Sequence, residues 1–397
     1  MVPTLLLTAC SGSSEDEQPA HPVFDAPVGQ QPRQALLATQ ESGSARFTQT
    51  LTFGSPAGDT VQRSTGRVDF SSGRAAGSVE WSLAPGLPEG AKDALLGVRL
   101  GPGNSPARTR IAVDPDAVRL RAGEAGYWLT YEGTLETFGG EASISALRGS
   151  ESAFGGTLLE ILSGAQDVKG TKATEGGRTY TAKLTAYNAL RMFSQDMRAE
   201  LTSNIDPSGT DTPVTLSIVA DAEGHITRAE ADFSGLLDRK DSALADMTGL
   251  HAVMTLSGQG DSPPVMPTPS EPTLDAKTAV RPVGDQKEGT CADLATGNRM
   301  LDMVVAVPCT QPHDVRVFAH ATLGTEYPGD ANAQRQAGEA CRREHRSAPG
   351  TWKREAADED VYWYTWPEED RWGVGGAATV SCYIVTRDPV TTRALAV

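Results

Sequence analysis

The sequence predicts an α+β protein: one curved antiparallel sheet covering helices, plus a small α+β domain closed by disulfides. Three observations carry that expectation. Apolar and polar residues alternate through much of residues 34–257, a helical insert interrupts the alternation, and four of the five cysteines lie beyond residue 290. A chain of 397 residues also exceeds what a single core ordinarily serves, so two domains are expected.

The strands follow from a period of two. Phe47, Gln49, Leu51 and Phe53 share one face of a segment whose other face is Thr48, Thr50 and Thr52. Val79, Trp81 and Leu83 repeat the pattern, as do Tyr180, Ala182, Leu184 and Ala186. Val214, Leu216 and Ile218 run toward Asp221-Ala-Glu-Gly224, a turn from which residues 226–233 return as a hairpin partner. Leu250, Ala252, Met254 and Leu256 close the series. Two stretches predict helix instead. Leu158, Leu159, Ile161 and Leu162 lie between Gly-Gly and Ser-Gly, and Leu190, Phe193, Met197 and Leu201 keep near-helical spacing.

At the N-terminus, Leu5-Leu6-Leu7-Thr8-Ala9-Cys10 resembles a bacterial lipobox. The resemblance implies a diacylglyceryl group on the Cys10 thiol and cleavage that leaves Cys10 first. Each buried methylene contributes about 0.8 kcal/mol, and two acyl chains anchor where one binds only reversibly. The three leucines are short for a signal core and no basic residue precedes Cys10, so residues 1–10 read as the end of a longer signal peptide. Residues 11–33 are polar and rich in Pro and Gln, the composition of a flexible tether. No later window reaches the roughly 18 apolar residues of a spanning helix. The expected location is the outer face of the cell membrane, held there by lipid.

A formal charge of -16 without a basic cluster argues against nucleic acid as a partner. A second boundary falls at the proline-rich stretch of residues 258–278, which predicts an extended, semi-rigid linker. Between tether and linker, residues 34–257 resemble the LppX/LprAFG lipoprotein family, which shares the LolA-like half-barrel. The best local match is Pro213-Val-Thr-Leu-Ser-Ile-Val-Ala-Asp221-Ala-Glu-Gly224-His-Ile-Thr-Arg228, a strand, an Asp-x-x-Gly turn and a returning strand. Tyr180-Thr-Ala-Lys-Leu-Thr ahead of the Arg191–Leu201 segment fits the same order. The resemblance implies an apolar cavity for lipid or acylated glycolipid, with Phe47, Leu51, Phe53, Trp81 and Phe193 as candidate lining residues. The competing reading is an ordinary close-packed core.

Residues 279–390 obey different rules. Cys291, Cys309, Cys341 and Cys382 in an exported chain read as two disulfides, and spacing leaves all three pairings open. Val307-Pro308-Cys309-Thr-Gln-Pro-His313-Asp314, Tyr327-Pro-Gly329 and Val380-Ser-Cys382-Tyr-Ile-Val385 resemble the septum formation family of envelope proteins. That resemblance favours Cys291–Cys309 and Cys341–Cys382. A rival uses the repeated Cys-x₃-His spacing of Cys309/His313 and Cys341/His345 as a zinc set; oxidation outside the cell and Pro312 weigh against it. Neither a metal nor a cofactor is therefore expected.

The aromatic cluster Trp352, Tyr362, Trp363, Tyr364, Trp366 and Trp372 reads either as core or as a stacking surface. In the first reading Trp363 points outward, and it joins Glu368-Glu369-Asp370 as the candidate exposed contact. Neither a Gly-x-Ser-x-Gly elbow, a phosphate loop nor His-Glu-x-x-His occurs, so catalytic residues are not assigned. The expectation is a membrane-anchored, non-catalytic binder of lipid or glycolipid. The alternative is an envelope or septum scaffold whose C-terminal domain contacts another envelope protein or the cell wall.

Overall fold

A computed structural model describes residues 21–96, 108–123, 125–132, 157–172, 176–193, 195–202, 214–237, 242–268, 270–294, 303–356, 360–374 and 376–386. Cys10 and residues 11–20 lie outside the described residues.

Eighteen strands are described: β1 (Ser44–Ser55), β2 (Gly58–Asp69), β3 (Arg74–Ser82), β4 (Thr109–Asp114), β5 (Ala117–Ala122), β6 (Trp128–Glu132), β7 (Gln166–Lys172), β8 (Arg178–Leu184), β9 (Val214–Ala220), β10 (Ile226–Asp232), β11 (Gly249–Ser257), β12 (Thr273–Asp275), β13 (Val280–Pro282), β14 (Cys291–Asp293), β15 (Met303–Val307), β16 (Val315–Thr322), β17 (Trp363–Thr365) and β18 (Thr379–Val385). The first twelve form one sheet in the order β12-β6-β5-β4-β3-β2-β1-β11-β10-β9-β8-β7. Every neighbour pair is antiparallel except β12 with β6. The sheet is large, curved and not closed, as the alternation predicts.

The predicted faces of β1, β8, β9 and β11 are each buried as a set, whereas of Val79, Trp81 and Leu83 only Val79 is buried. Phe47, Gln49, Leu51 and Phe53 point into the core from β1, and Tyr180, Ala182 and Leu184 do so from β8. Val214, Leu216 and Ile218 of β9 and Leu250, Ala252, Met254 and Leu256 of β11 join them. Gln49 is polar on that face because its Oε1 accepts the Leu158 N–H at 2.9 Å, tying the insert to the sheet. Asp221 closes the β9–β10 turn by accepting from the His225 N–H at 2.8 Å, and Gly224 takes the φ of 77° the turn requires.

The helical segments are shorter than the spacing predicts. Leu158–Glu160 and Leu162–Gly164 form two 3-10 turns, with Gly164 pressed against Asn188. The second stretch divides into helices Ala186–Leu190 and Gln195–Thr202. Between them the Met192 and Phe193 amides bond three residues back, which tightens the chain and sends Phe193 inward.

Folded structure also begins earlier than composition suggests. Pro22–Asp25 and Val28–Gln30 are 3-10 turns leading into helix Gln31–Glu41, so residues 22–33 are not free tether. Val23 and Phe24 are buried, which polar composition averaged over the segment conceals. Buried Gln31 fastens the segment: its Nε2 donates to the Phe24 and Ala26 carbonyls, and its Oε1 accepts from the Tyr180 hydroxyl at 2.9 Å.

The proline-rich segment is extended, but it does not stand clear of the first domain. The Ser44 hydroxyl donates to the Asp261 carbonyl, Arg46 pairs with Asp261 at 2.9 Å, and Arg67 donates to the Ser262 carbonyl at 2.8 Å. Proline lacks an N–H, so such a strap is held mainly through its carbonyls and acids. Trp128 donates to the Pro272 carbonyl and to Glu271, after which β12 adds to β6.

The second sheet runs β13-β15-β14-β16-β18-β17. Alternation in β18 serves two cores. Val380, Cys382 and Ile384 meet helix Asp330–Ser347, while Tyr383 and Val385 join Val283, Val304 and Val317 on the other face. Cys291–Cys309 ties β14 to the turn after β15, and Cys341–Cys382 ties the long helix to β18. Loops of 18 and 41 residues give about 3 and about 4 kcal/mol in the chain-entropy model.

Candidate functional site

The five candidate lining residues do share one apolar body. Phe47, Leu51 and Phe53 descend from β1, and Phe193 meets Phe233 edge-on at 5.1 Å. All four are 3% exposed or less. Trp81 differs: it is only half-buried, beside the likewise half-buried Leu83, and its ring stacks on Phe53 at 6.3 Å. Helix Glu89–Leu96 contributes buried Ala91 and Leu95 to the same body. Met192, Met197, Met247 and Met254 are also buried in it, unbranched side chains that repack more readily than Leu or Ile. The arrangement can shelter hydrocarbon.

The outer face of the sheet has a different character. Arg74, Asp114, Arg119, Thr130 and Glu132 line a polar cleft of about 450 Å³, roofed by Met266, Pro267 and Thr268 of the strap. Arg74 and Arg119 both hold the Asp114 carboxylate.

In the small domain the sequence-predicted residues separate into distinct environments. All four cysteines are oxidised in the pairs above, so Cys309 is joined to Cys291 rather than set against Cys341 in a metal site. His313 is buried, its Nδ1 2.9 Å from the Gln311 carbonyl and its Nε2 3.6 Å from Glu355. His345 packs against Phe318 and Tyr362, and burial followed by the Lys353 charge lowers its pKa toward the neutral ring.

The aromatics divide between the two faces. Tyr362, Tyr364 and Trp366 form a half-buried ladder with ring separations of 6.3 and 5.7 Å, against helix Asp330–Ser347. Trp363 packs half-buried against the opposite core, so it is not an outward-facing residue. Trp372 is buried in contact with Tyr327. Glu368, Glu369 and Asp370 are exposed, as expected.

Sequence reading missed two groupings. Arg316 in β16 makes a buried bidentate pair with Glu355 at 2.7 and 2.8 Å and lies over the Trp352 ring. Burial opposes charge on Glu355, but Arg316 and His313 outweigh it and hold the carboxyl below its usual value. At 3.6 Å the histidine acts through space, so Arg316 does most of this. A charged residue inside Val315-Arg316-Val317-Phe318 was the available signal. The second grouping, Tyr127 with Asp293, joins the two domains and left no sequence signal.

Residues 274–382 match the family described as Septum formation. The matched residues begin in β12, inside the large sheet. No curated protein matches the chain. Among solved structures, the lipoprotein LppX of Mycobacterium tuberculosis is similar at 15% identity, covering 58% of this chain and 93% of its own, with a TM-score of 0.31. An uncharacterized conserved protein of Thermus thermophilus is similar at 8% identity, covering 61% and 98%, with a TM-score of 0.25. A domain from Vibrio parahaemolyticus described as an outer membrane lipoprotein-sorting protein is similar at 9% identity, covering 58% and 90%, with a TM-score of 0.21. Among the described residues no helix is long and apolar enough to cross a membrane.

Proposed function

We propose that this chain is an exported, lipid-anchored envelope protein that holds the acyl part of a lipid or glycolipid between the sheet and helices of its first domain, without catalysis. The observation that carries the reading is the gradient in the candidate site: Phe47, Leu51, Phe53 and Phe193 are fully enclosed, while Trp81 stands half-exposed at the rim. An acyl chain enters beside Trp81 and Leu83, passes helix Glu89–Leu96 and displaces side chains that include the adaptable methionines. The Cys10 anchor keeps the binder within reach of membrane lipid, and the disulfides suit an oxidising compartment.

The test uses the full chain carrying Cys10→Ser, which is expected to release it from the membrane fraction. Native mass spectrometry of this protein, before and after solvent extraction, is expected to show an added lipid mass that extraction removes. Trp81→Ala is expected to reduce uptake of offered glycolipid several-fold. A clean mass, with no uptake of any offered lipid, refutes the reading. A second reading, a scaffold acting through the C-terminal domain, is favoured by the exposed Glu368–Asp370 turn beside the Trp366 end of the aromatic ladder. Partner capture lost on reversing those three charges, but indifferent to Trp81→Ala, selects the scaffold.

A further inference from the structure

The two domains share more than a covalent link. Ala276 and Val280, just beyond β12, and Val305 of β15 belong to the same apolar core as the large sheet. Beside that contact, Tyr127, just before β6, donates its hydroxyl to Oδ2 of Asp293 at 2.7 Å. Asp293 ends β14, opposite Val305 of β15. Asp314 is held against the same strand: its N–H donates to the Ala292 carbonyl at 3.0 Å, and its Oδ2 accepts from the Leu294 N–H at 2.8 Å. Two carboxylates of the small domain therefore lie together under a phenol of the large one.

We propose that this junction is a proton-dependent latch, in which the domains dock with Asp293 protonated and loosen when it ionises. A neutral Asp293 still accepts the Tyr127 hydroxyl and presents no charge to Asp314. An ionised one places two like charges in a half-buried seam. The titratable groups facing Asp293 among the described residues are Tyr127 from the large sheet, and His313 and Asp314 from the turn before β16. Tyr131 of β6 stands behind Tyr127. Burial, then the Asp314 charge, pushes Asp293 up to about 7, while the Tyr127 hydrogen bond and His313 act in the opposite sense. Burial and Asp293 raise the Tyr127 phenol as well, so it remains a donor.

The sign follows from linkage. The docked pKa lies above the ordinary value of 3.8, so docking takes up a proton between the two values. The latch is fully effective below the ordinary value and is lost as pH rises through about 7. The strap, the β12–β6 pairing and the shared core do not titrate with Asp293, so the response is a loosening of the seam and not separation.

The experiment is hydrogen–deuterium exchange of the full Cys10→Ser chain at pH 5 and pH 8, corrected for intrinsic exchange. Protection of Trp128–Glu132 and Cys291–Asp293 is expected to fall about tenfold or more at pH 8. Asp293→Asn, neutral at both values, is expected to hold its protection, and Tyr127→Phe to lose part of it at both. Asp314→Asn gives a second route if Asp293→Asn fails to fold, because removing the neighbouring charge shifts the midpoint of the loss to lower pH. Equal pH dependence in wild type and Asp293→Asn, or an unmoved midpoint in Asp314→Asn, overturns the proposal.

Discussion

Glu355 illustrates what single residues contribute here. It is 9% exposed and its partner Arg316 is 8% exposed, so each charge depends on the other for solvation. Truncating one member of such a pair leaves the other buried and unpaired, which costs about 3–5 kcal/mol. Glu355→Ala is therefore expected to lose that much stability at pH 7, read from urea denaturation of the oxidised full chain. Replacing both residues with well-packed apolar ones is expected to cost far less, because the desolvation penalty leaves with the charges. The pH dependence has a definite sign. The folded pKa of Glu355 lies below its ordinary 4.5, so its contribution is present above that value and is lost as pH falls through the folded value. Wild type and Glu355→Gln are expected to converge in stability on acidification, which is checked by the same denaturation below pH 4.

Among elements, β2 and β3 show how closely two strand backbones approach where both carry glycine. Gly66 and Gly77 face each other across the pair, and the Phe47 ring lies against Gly66. A Cβ on Gly77 would meet the Thr65 carbonyl at 2.1 Å, and one on Gly66 the Ala76 carbonyl at 2.5 Å. Both obstacles are backbone, so the strands themselves would have to move. Gly77→Ala is expected to destabilise by about 1–3 kcal/mol through overpacking. Gly90→Ala, in helix Glu89–Leu96 with nothing within 4 Å of the added atom, is expected to stabilise by up to about 1 kcal/mol. Thermal midpoints of the two variants that move in the same direction would contradict this account. The alternating faces of β1, β8, β9 and β11 were legible because their period is local and each buries one side. The edge strand β7 was not, because all its residues but Val168 are exposed and no burial enforces alternation. The helical stretch at 190–201 was legible in type but not in continuity, since the tight turn that aims Phe193 at Phe233 is set by the core it enters.

For the whole molecule, the strap and β12 make two domains behave as one body. Trp128, Arg46 and Arg67 all spend hydrogen bonds on residues 261–272, and β12 covers the edge that β6 would otherwise expose. A chain ending at Ser257 is thus expected to have a lower thermal midpoint than the same domain extended through Val283. Hydrogen exchange of the two forms is expected to differ most in β6. Equal midpoints would mean that the strap is only a spacer. The sequence placed a boundary here because proline and polar residues break both periodicities, but composition does not report what an extended segment rests on.

Sequence by itself determined the properties that repeat locally or depend on residue type. These are the apolar faces, the Asp221–Gly224 turn, the division into a cysteine-free and a cysteine-bearing region, and the candidate lipidation signal at Cys10. Only the tertiary structure decided which groups meet. Arg316 finds Glu355 across 39 residues, and Tyr127 finds Asp293 across 166. Such pairs carry no period and no motif. They exist because two separately specified surfaces dock in one register, and once water is excluded there each buried charge must be matched by whatever the other surface presents.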